Sequence, residues 1–363
     1  MIELIAEMRN QAGEASAFAV STVVKTWNSA PRPAGSSMIV TSDDEVIGSV
    51  SGGCVEGALY DVAKSVLADG QCAYNVYGVS DDEAFAVGLT CGGTIEVFTE
   101  RMQMDDEWIS DLLRNRCEDE GFAVATVVRG SAWVGTHLVI SAIGFVGSTG
   151  SERLDQAIFD DALGLLASGN SGLLRFGIDG QRLETEIEVF VNSSAPKARL
   201  IIFGAVDFAA ALARLGKFLG YHVTVCDARS IFATRKRFPD ADEVVVDWPH
   251  RYLVTQKVDS RTVIAVLTHD PKFDVPVLKI ALDSSAGYVG AMGSRRTHRD
   301  RVARLRDEGV SPESIARLHS PIGLDLGSRT PEETALSIAA EIVKYRWGGT
   351  GLPLRESEGP IHI

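Results

Sequence analysis

The sequence contains no uninterrupted stretch that approaches the ~20 apolar residues of a membrane-spanning helix. Its first residues, Met1-Ile-Glu-Leu-Ile5, lack the basic segment and apolar block of a secretory signal. Basic residues are also few, since 35 Lys and Arg stand against 49 Asp and Glu and leave a formal net charge of -14. Such a surface repels phosphate backbones, which argues against a nucleic-acid partner. We therefore expect a cytoplasmic protein that binds neither membranes nor nucleic acids.

Cysteine is scarce and is not arranged as a metal site. The five cysteines stand at positions 54, 72, 91, 117 and 226, with no CxxC pair and no Cys/His pattern typical of zinc. We expect reduced thiols in the cytoplasm, so a functional cysteine would act as a nucleophile, a ligand or a sulfur carrier.

The first 195 residues contain a repeat. Residues 18–25 (FAVSTVVK) reappear as residues 122–129 (FAVATVVR), and residues 35–41 match residues 135–141. In each copy, β-branched alternation predicts strands, and apolar residues at helical spacing predict one helix after the third strand. We interpret the region as a duplicated α+β unit, with chance similarity as the alternative.

The differences between the two copies point to function. Cys54 of the first copy is replaced by Arg153 in the second, and the loop at residues 79–93 has no counterpart there. If both copies share one fold, that fold needs neither Cys54 nor the loop that carries Cys91.

The segment Ser51-Gly52-Gly53-Cys54-Val55-Glu56 leads directly into the predicted helix of the first copy. Unsatisfied N–H groups and the positive end of the helix dipole favour a thiolate at Cys54. The two glycines allow an anionic group such as a phosphate to approach the backbone closely. Glu56 either accepts a proton or hydrogen bond from a ligand or complements the helix dipole. The alternative for Cys54 is a small buried apolar residue.

A second thiol, Cys91, is followed by Gly92 and Gly93 just before a predicted strand. The loops of Cys54 and Cys91 are candidates to converge on one cleft, with a tight turn around a packed cysteine as the alternative. The remaining cysteines are interpreted as packing residues: Cys72, Cys117 and Cys226.

After residues 192–197, which have a linker-like composition, strands alternate with helices. This alternation indicates a parallel sheet with crossover helices, that is, a Rossmann-like domain. The predicted fold class is therefore α/β, with a C-terminal Rossmann-like parallel sheet and an N-terminal α+β region that is internally duplicated. The predicted domains are 1–104 for the first copy, 105–195 for the second, 196–350 for the Rossmann-like domain and 351–363 for a tail.

The turn Gly204-Ala205 and the acid Asp227 suit a dinucleotide, with the pyrophosphate at the turn and the ribose at the acid. Val206, however, stands where the GxGxxG fingerprint has glycine, and its side chain occupies the space into which the pyrophosphate should fit. Arg229 either contacts a 2′-phosphate or makes a surface or interdomain pair. The residues thus leave dinucleotide binding open.

Further polar residues follow predicted strands, at the edge where a parallel sheet binds its ligands. His269 beside Asp270 is a candidate general base, or a structural hydrogen-bonding residue. Ser294 and Arg295 open a predicted helix and suit an anion.

Taken in order along the chain, these segments resemble the XdhC/CoxI family of accessory factors for xanthine dehydrogenase and related molybdenum hydroxylases. The resemblance covers most of the chain and rests on Pro31-Arg32 with Gly35, residues 48–56 (GSVSGGCVE), Cys91-Gly-Gly93, Asp227-Ala-Arg229, Thr268-His-Asp270, residues 288–296 (YVGAMGSRR), residues 321–327 and residues 330–341. Relatives often show Gly-x-Gly-His at the turn where this chain has Gly204-Ala-Val-Asp207.

The resemblance implies a chaperone that binds molybdenum cofactor as cargo, keeps it sulfurated and delivers it to an apo-hydroxylase. It places Arg32 and Cys54 in the cofactor site, with Cys54 as a candidate contact for molybdenum. A cysteine desulfurase is a further candidate partner, and a homodimer is expected because dimers are the commonest oligomers. Two other functions stay open: an NAD(P)-dependent oxidoreductase that uses His269 as its acid–base group, and a pure interaction scaffold.

Overall fold

The computed structural model describes residues 1, 17–27, 30–78, 93–114, 121–182 and 184–357. The chain forms two compact units, and the boundary between them falls at Pro196–Lys197. Within the described ranges, each helix is too short or too polar to cross a membrane.

The first copy of the repeat is an antiparallel sheet of five strands with the order β3-β2-β1-β5-β4. One helix, α1, packs on it through Leu59, Ala63 and Val66, which recur at helical spacing. The helix ends at Gly70, whose φ of 71° is the left-handed conformation that glycine adopts readily. The elements of this copy are β1 (Ala17–Trp27), β2 (Ser37–Thr41), β3 (Val46–Gly48), α1 (Glu56–Asp69), β4 (Ala73–Tyr77) and β5 (Thr94–Gln103).

The second copy has the same strand order, β8-β7-β6-β10-β9. A short helix, α2 (Glu107–Arg114), precedes it. Both copies also carry a bulge at the same place, since Val24 is skipped in the pairing of β1 with β5 and Val128 in the pairing of β6 with β10. The predicted duplication is thus confirmed. The elements of this copy are β6 (Phe122–Gly130), β7 (His137–Ser141), β8 (Gly144–Val146), α3 (Glu152–Ser168), β9 (Gly172–Phe176) and β10 (Ile187–Ser194).

The two copies contact each other through a small apolar cluster that both supply in the same way. Val24 and Phe98 of the first copy pack with Val128 and Phe190 of the second. Each bulge therefore delivers one valine to the contact between the copies, while the side chains on the opposite face of each sheet pack beneath α1 or α3.

The second unit is a six-stranded parallel sheet with the order β13-β12-β11-β14-β15-β16, as predicted for a Rossmann-like domain. Its strands are β11 (Arg199–Phe203), β12 (His222–Asp227), β13 (Glu243–Val246), β14 (Val263–Val266), β15 (Tyr288–Ala291) and β16 (Leu318–His319). Its helices are α4 (Asp207–Phe218), α5 (Pro249–Val254), α6 (Pro271–Asp283), α7 (Arg295–Asp307), α8 (Pro312–Ala316) and α9 (Pro331–Trp347).

Both faces of this sheet are buried. Leu200 and Ile202 of β11 pack into the core on one face, and Ile201 and Phe203 pack into the core on the other face. The strand is therefore apolar at every position from residue 200 to residue 203. The sheet order reverses around β11, which has β12 on one side and β14 on the other. The loops that follow β11 and β14 therefore form the edge at which ligands bind in this fold.

Candidate functional site

The loop before α1 wraps around the carboxylate of Glu56. The backbone N–H groups of Ser51, Gly52 and Gly53 donate to it at 2.9, 3.0 and 2.8 Å. The hydroxyls of Ser49 and Ser51 donate to it at 2.7 and 2.5 Å. Partial burial opposes ionisation of Glu56, but these hydrogen bonds outweigh it and hold the pKa of its carboxyl far below the ordinary value. Glu56 is thus ionised at neutral pH.

This arrangement changes the roles predicted for Glu56, Gly52 and Gly53. The N–H groups expected to meet an anionic ligand already donate to Glu56, so its carboxylate is the anion of this loop. A carboxyl with so low a pKa is also a poor proton acceptor. The glycines are needed because φ is 82° at Gly52 and 119° at Gly53, a region that other residues rarely adopt. Glu56 is therefore a residue that shapes the loop.

Cys54 lies on this loop, two residues before α1 begins. Its backbone N–H donates to the Ser51 hydroxyl at 3.0 Å, and the residue is half-buried against the apolar core of the first copy. The carboxylate of Glu56 holds the residues on either side of it. The thiol is therefore presented from a loop whose backbone is fixed by many hydrogen bonds.

The second copy also centres the segment before its helix on a carboxylate, but α3 begins three residues earlier in the repeat than α1. Asp155, at the position of Glu56, accepts hydrogen bonds from the Ser148 hydroxyl at 2.5 Å and from the backbone N–H of Thr149 at 2.8 Å. Ser151 caps α3, and Arg153, at the position of Cys54, is exposed in the first turn of that helix. The carboxylate-centred loop is thus part of the shared fold, whereas Cys54 belongs to the first copy alone.

An open cleft of about 380 Å³ lies between the two copies, next to this loop. The first copy lines it with the turn at residues 32–37 and with Gly48 and Ser49, and the second lines it with Ser171 and residues 192–194. Arg32, which the resemblance placed in the cofactor site, is exposed at this cleft. The contribution of the second copy was missed by sequence reasoning, because no motif marks Ser171 or Asn192.

The other cysteines divide into three cases. Cys91, Gly92 and Cys117 lie outside the described residues, so the convergence of Cys91 with Cys54 stays a prediction; Gly93 is buried immediately before β5. Cys226 is fully buried on β12, where burial raises the pKa of its thiol to about 12, as suits a packing residue. Cys72, just before β4, is exposed as a residue, although its thiol lies against Gly135 of the second copy.

In the second unit, Asp227, which was predicted to bind a ribose, forms hydrogen bonds with other protein groups. Asp227 is 2% exposed, and its carboxylate accepts from the backbone N–H of Ala205 at 2.8 Å and from two guanidinium nitrogens of Arg229 at 2.8 and 2.9 Å. Burial opposes ionisation, but these hydrogen bonds still lower the pKa of Asp227. Arg229 thus forms an ion pair within this unit, and its contact with a 2′-phosphate stays a prediction.

The turn after β11 does not suit a dinucleotide in its usual pose. The Ala205 N–H is engaged by Asp227, and Val206 precedes the first residue of α4. That first residue is Asp207, an exposed carboxylate at the helix end where a pyrophosphate would need positive potential. Gly204 is explained by packing, because a Cβ there would lie 3.0 Å from the backbone nitrogen of Thr268.

Two of the remaining predicted residues, Asp270 and Ser294, cap helices beside this edge. Asp270 accepts from the backbone N–H of Lys272 at 3.1 Å and pairs with its ammonium at 3.0 Å, which stabilises the start of α6. Ser294 accepts from the backbone N–H of Thr297 at 3.1 Å and caps α7, of which Arg295 is the first residue. His269 is exposed after β14, while Asp270 serves α6.

Sequence reasoning missed a buried ion pair beneath this edge. Arg301 of α7 donates to Asp274 of α6 at 2.8 Å, and both side chains are at most 5% exposed. The Thr268 hydroxyl donates to the same carboxylate, and Arg301 also donates to the Met292 carbonyl at 2.8 Å. The network ties the segments after β14 and β15 to two helices. Among the described residues, no group of three or more His, Cys, Asp and Glu is placed to hold a metal.

Comparison with known proteins agrees with the two-unit architecture. Residues 200–342 match the XdhC Rossmann domain, and residues 12–78 and 116–177 match the XdhC and CoxI family, one segment in each copy of the repeat. The chain belongs to the XdhC and CoxI family.

Individual members of the XdhC and CoxI family align with nearly the whole chain. The chain is 28% identical over 334 residues to a probable xanthine dehydrogenase subunit of Bacillus subtilis, and the alignment covers 90% of this chain and 92% of the relative. It is 26% identical over 325 residues to the molybdenum cofactor insertion chaperone PaoD of Escherichia coli, covering 90% and 82%. A crystal structure titled as a xanthine dehydrogenase from Bacillus halodurans matches with a TM-score of 0.68 and 26% identity, covering 98% and 97%.

Proposed function

We propose that the protein is an accessory factor that binds molybdenum cofactor as cargo and supports the maturation of a molybdenum hydroxylase such as xanthine dehydrogenase. The observation that carries the proposal is the similarity to a molybdenum cofactor insertion chaperone over 90% of the chain. The match of both copies and of the Rossmann domain to the XdhC families supports the same function.

We place the cargo at the Cys54 loop. A thiolate is a soft ligand that suits molybdenum or can protect a sulfido group bound to it. The loop supports this role because Glu56 fixes the backbone on both sides of Cys54. Cys54 also has no counterpart in the second copy, where Arg153 stands at its position, although a carboxylate organises the segment in both copies.

The proposal extends to the partners and the compartment. An apo-molybdenum hydroxylase is the proposed recipient of the cargo, and a cysteine desulfurase is the proposed source of its sulfido ligand. A homodimer in the cytoplasm is the proposed working form.

Replacement of Cys54 by serine tests the site. Serine keeps the size of the side chain and removes the soft sulfur ligand, so we expect Cys54→Ser to retain at least about tenfold less molybdenum cofactor after gel filtration. The matched control is Cys72→Ser, which removes a thiol that lies outside the loop. Cofactor content is measured as molybdenum and as fluorescent pterin, and circular dichroism checks the fold. Equal retention by Cys54→Ser and the parent protein would refute the assignment of Cys54.

A further inference from the structure

The duplication creates two equivalent places at the contact between the copies. Asn192 of β10 pairs with Val124 of β6, and Glu100 of β5 pairs with Val20 of β1. Since Val20 and Val124 are equivalent in the repeat, Glu100 and Asn192 occupy the same position in the two copies. Asn192 lies near the turn of the first copy that contains Gly35, and Glu100 lies near His137, which follows the equivalent turn of the second copy.

The first of these places is open and is lined by small polar groups. The side chain of Asn192 donates to the carbonyl of Gly35 at 3.4 Å. A Cβ at Gly35 would lie 3.4 Å from the Asn192 amide nitrogen and 3.5 Å from the Ser171 hydroxyl, so glycine lets the chains approach. The cleft of about 380 Å³ opens beside these groups. Among its described lining residues, the one with a charged side chain is Arg32.

The second place is occupied by larger paired side chains. His137 stands at the position of Ser37, and its Nε2 lies 3.0 Å from a carboxylate oxygen of Glu100. Both side chains are at most 8% exposed, and the ring of Trp108 stacks on His137 at 4.2 Å. Cys72, at the position of Ser171, lies against Gly135, and burial together with the Glu100 carboxylate raises the pKa of its thiol to about 11.

The two places also differ in charge. The open cleft has an arginine, serine hydroxyls and an amide, which are the groups that recognise phosphate oxygens. The filled place has the carboxylate of Glu100 where the open cleft has the neutral amide of Asn192. In a chain of net charge -14, an open cleft whose described charged side chain is cationic is suited to an anion.

We propose that the open cleft binds the phosphate monoester of a small organic ligand, with Arg32 as the anion-recognising residue and the second copy as one wall. The volume lies near the lower end of the range of ~300–1,000 Å³ typical of small-molecule sites. The inference rests on the proposed function in that molybdenum cofactor supplies such a group, because its pterin carries a phosphate ester.

Ser49 connects the cleft to the thiol loop. The residue lines the cleft, and its hydroxyl donates to Glu56 at 2.7 Å and accepts from the backbone N–H of Gly52 at 3.0 Å. A ligand anchored in the cleft through its phosphate would thus lie next to the loop that presents Cys54. The second copy, which has no thiol at this position, contributes to the site by forming the opposite wall.

Two forms of one probe test the proposal on the full chain. The probe is the oxidised fluorescent pterin obtained from molybdopterin, used with its phosphate and after the phosphate has been removed by a phosphatase. We expect the phosphorylated form to bind at least about tenfold more tightly, the difference that one charge-assisted contact to an anion typically makes. Arg32→Ala should reduce this preference to less than about twofold. Arg153→Ala is the control, because it removes an exposed arginine of the second copy at the position of Cys54.

A second variant tests the wall formed by the second copy. Asn192→Asp places at the open cleft the kind of charge that Glu100 supplies in the filled place, so it should also abolish the preference for the phosphorylated probe. Thermal unfolding of each variant verifies that it is folded. Equal affinity of the parent protein for the two probes, or a preference that survives Arg32→Ala, would overturn the proposal.

The outcome separates this inference from the proposed function. If the chain retains molybdenum cofactor through Cys54 but does not prefer the phosphorylated probe, the phosphate site is wrong and the proposed function stands. If the phosphorylated probe is preferred but molybdenum cofactor is not retained, the cleft binds phosphate esters and the proposed function is wrong.

Discussion

The two copies of the repeat share a strand order, a bulge and a loop built around a carboxylate, yet they differ wherever the structure offers room for a ligand. Glu56 and Asp155 do the same structural work, whereas Cys54 is matched by Arg153. The open cleft beside Asn192 is matched by a buried pair around Glu100. Features that both copies keep are explained by folding, and features that one copy has lost identify the site.

The buried pair of the second place should matter most for stability. Glu100→Ala removes the carboxylate beside His137 and leaves a buried imidazole and a cavity beneath Trp108, so we expect the free energy of unfolding to fall by about 3 kcal/mol. Asn192→Ala, the matched change at the open cleft, loses one long hydrogen bond and should cost about 1 kcal/mol. Urea denaturation of both variants measures the two values. Equal losses would mean that the open cleft is as structural as the filled place.

The second-largest effect on stability should come from the carboxylates of Glu56 and Asp155. Glu56→Gln replaces an ionised acceptor of several N–H and O–H groups by a neutral amide, and should lower the free energy of unfolding by about 2 kcal/mol at pH 7. Asp155→Asn should cost a similar amount in the second copy. Denaturant titrations at neutral pH compare the two. A loss confined to the first copy would contradict a shared structural role.

The pH dependence of the Glu56 effect has a defined sign. The pKa of Glu56 is lowered in the folded chain, so its ionised form stabilises the fold above the ordinary glutamate pKa of about 4.3, and this stabilisation is lost as the pH falls toward the lowered value. The difference in unfolding free energy between the parent protein and Glu56→Gln should therefore be largest near neutral pH and shrink on acidification below that range. Denaturant titrations between pH 7 and pH 3 measure it. A difference that grows on acidification would contradict the lowered pKa.

Local periodicity explains why much of the fold could be predicted from the sequence. The apolar stripe of α1, the alternation of strands and helices in the second unit, and the capping of α9 by Thr330 each depend on residues close together in the chain. The capping box of Thr330 and Glu333 is present as its spacing suggests. The duplication was visible for the same reason, because each copy repeats its own short patterns.

The candidate site was harder to predict because its contacts join distant residues. Gly35 and Asn192 meet across 157 positions, and the pair of Asp274 and Arg301 has no local pattern. A ligand contact stayed open for Glu56 because the loop that folds back onto its carboxylate is not evident from residue types. One signal was available: Asp155, an acid at the same offset in a copy without the thiol, already indicated a structural carboxylate.

The smallest effect on stability should come from the change that makes the first loop most like the second. Cys54→Arg places at the thiol position the residue that the second copy has there, and a long side chain can extend to solvent. We therefore expect a change in unfolding free energy below about 1 kcal/mol. Retention of molybdenum cofactor should nevertheless fall more than about tenfold. The reciprocal variant Arg153→Cys should gain no retention, because Glu100 and His137 fill the corresponding contact between the copies. A loss of more than about 2 kcal/mol would mean that the contact of Cys54 with the core of the first copy is needed for stability.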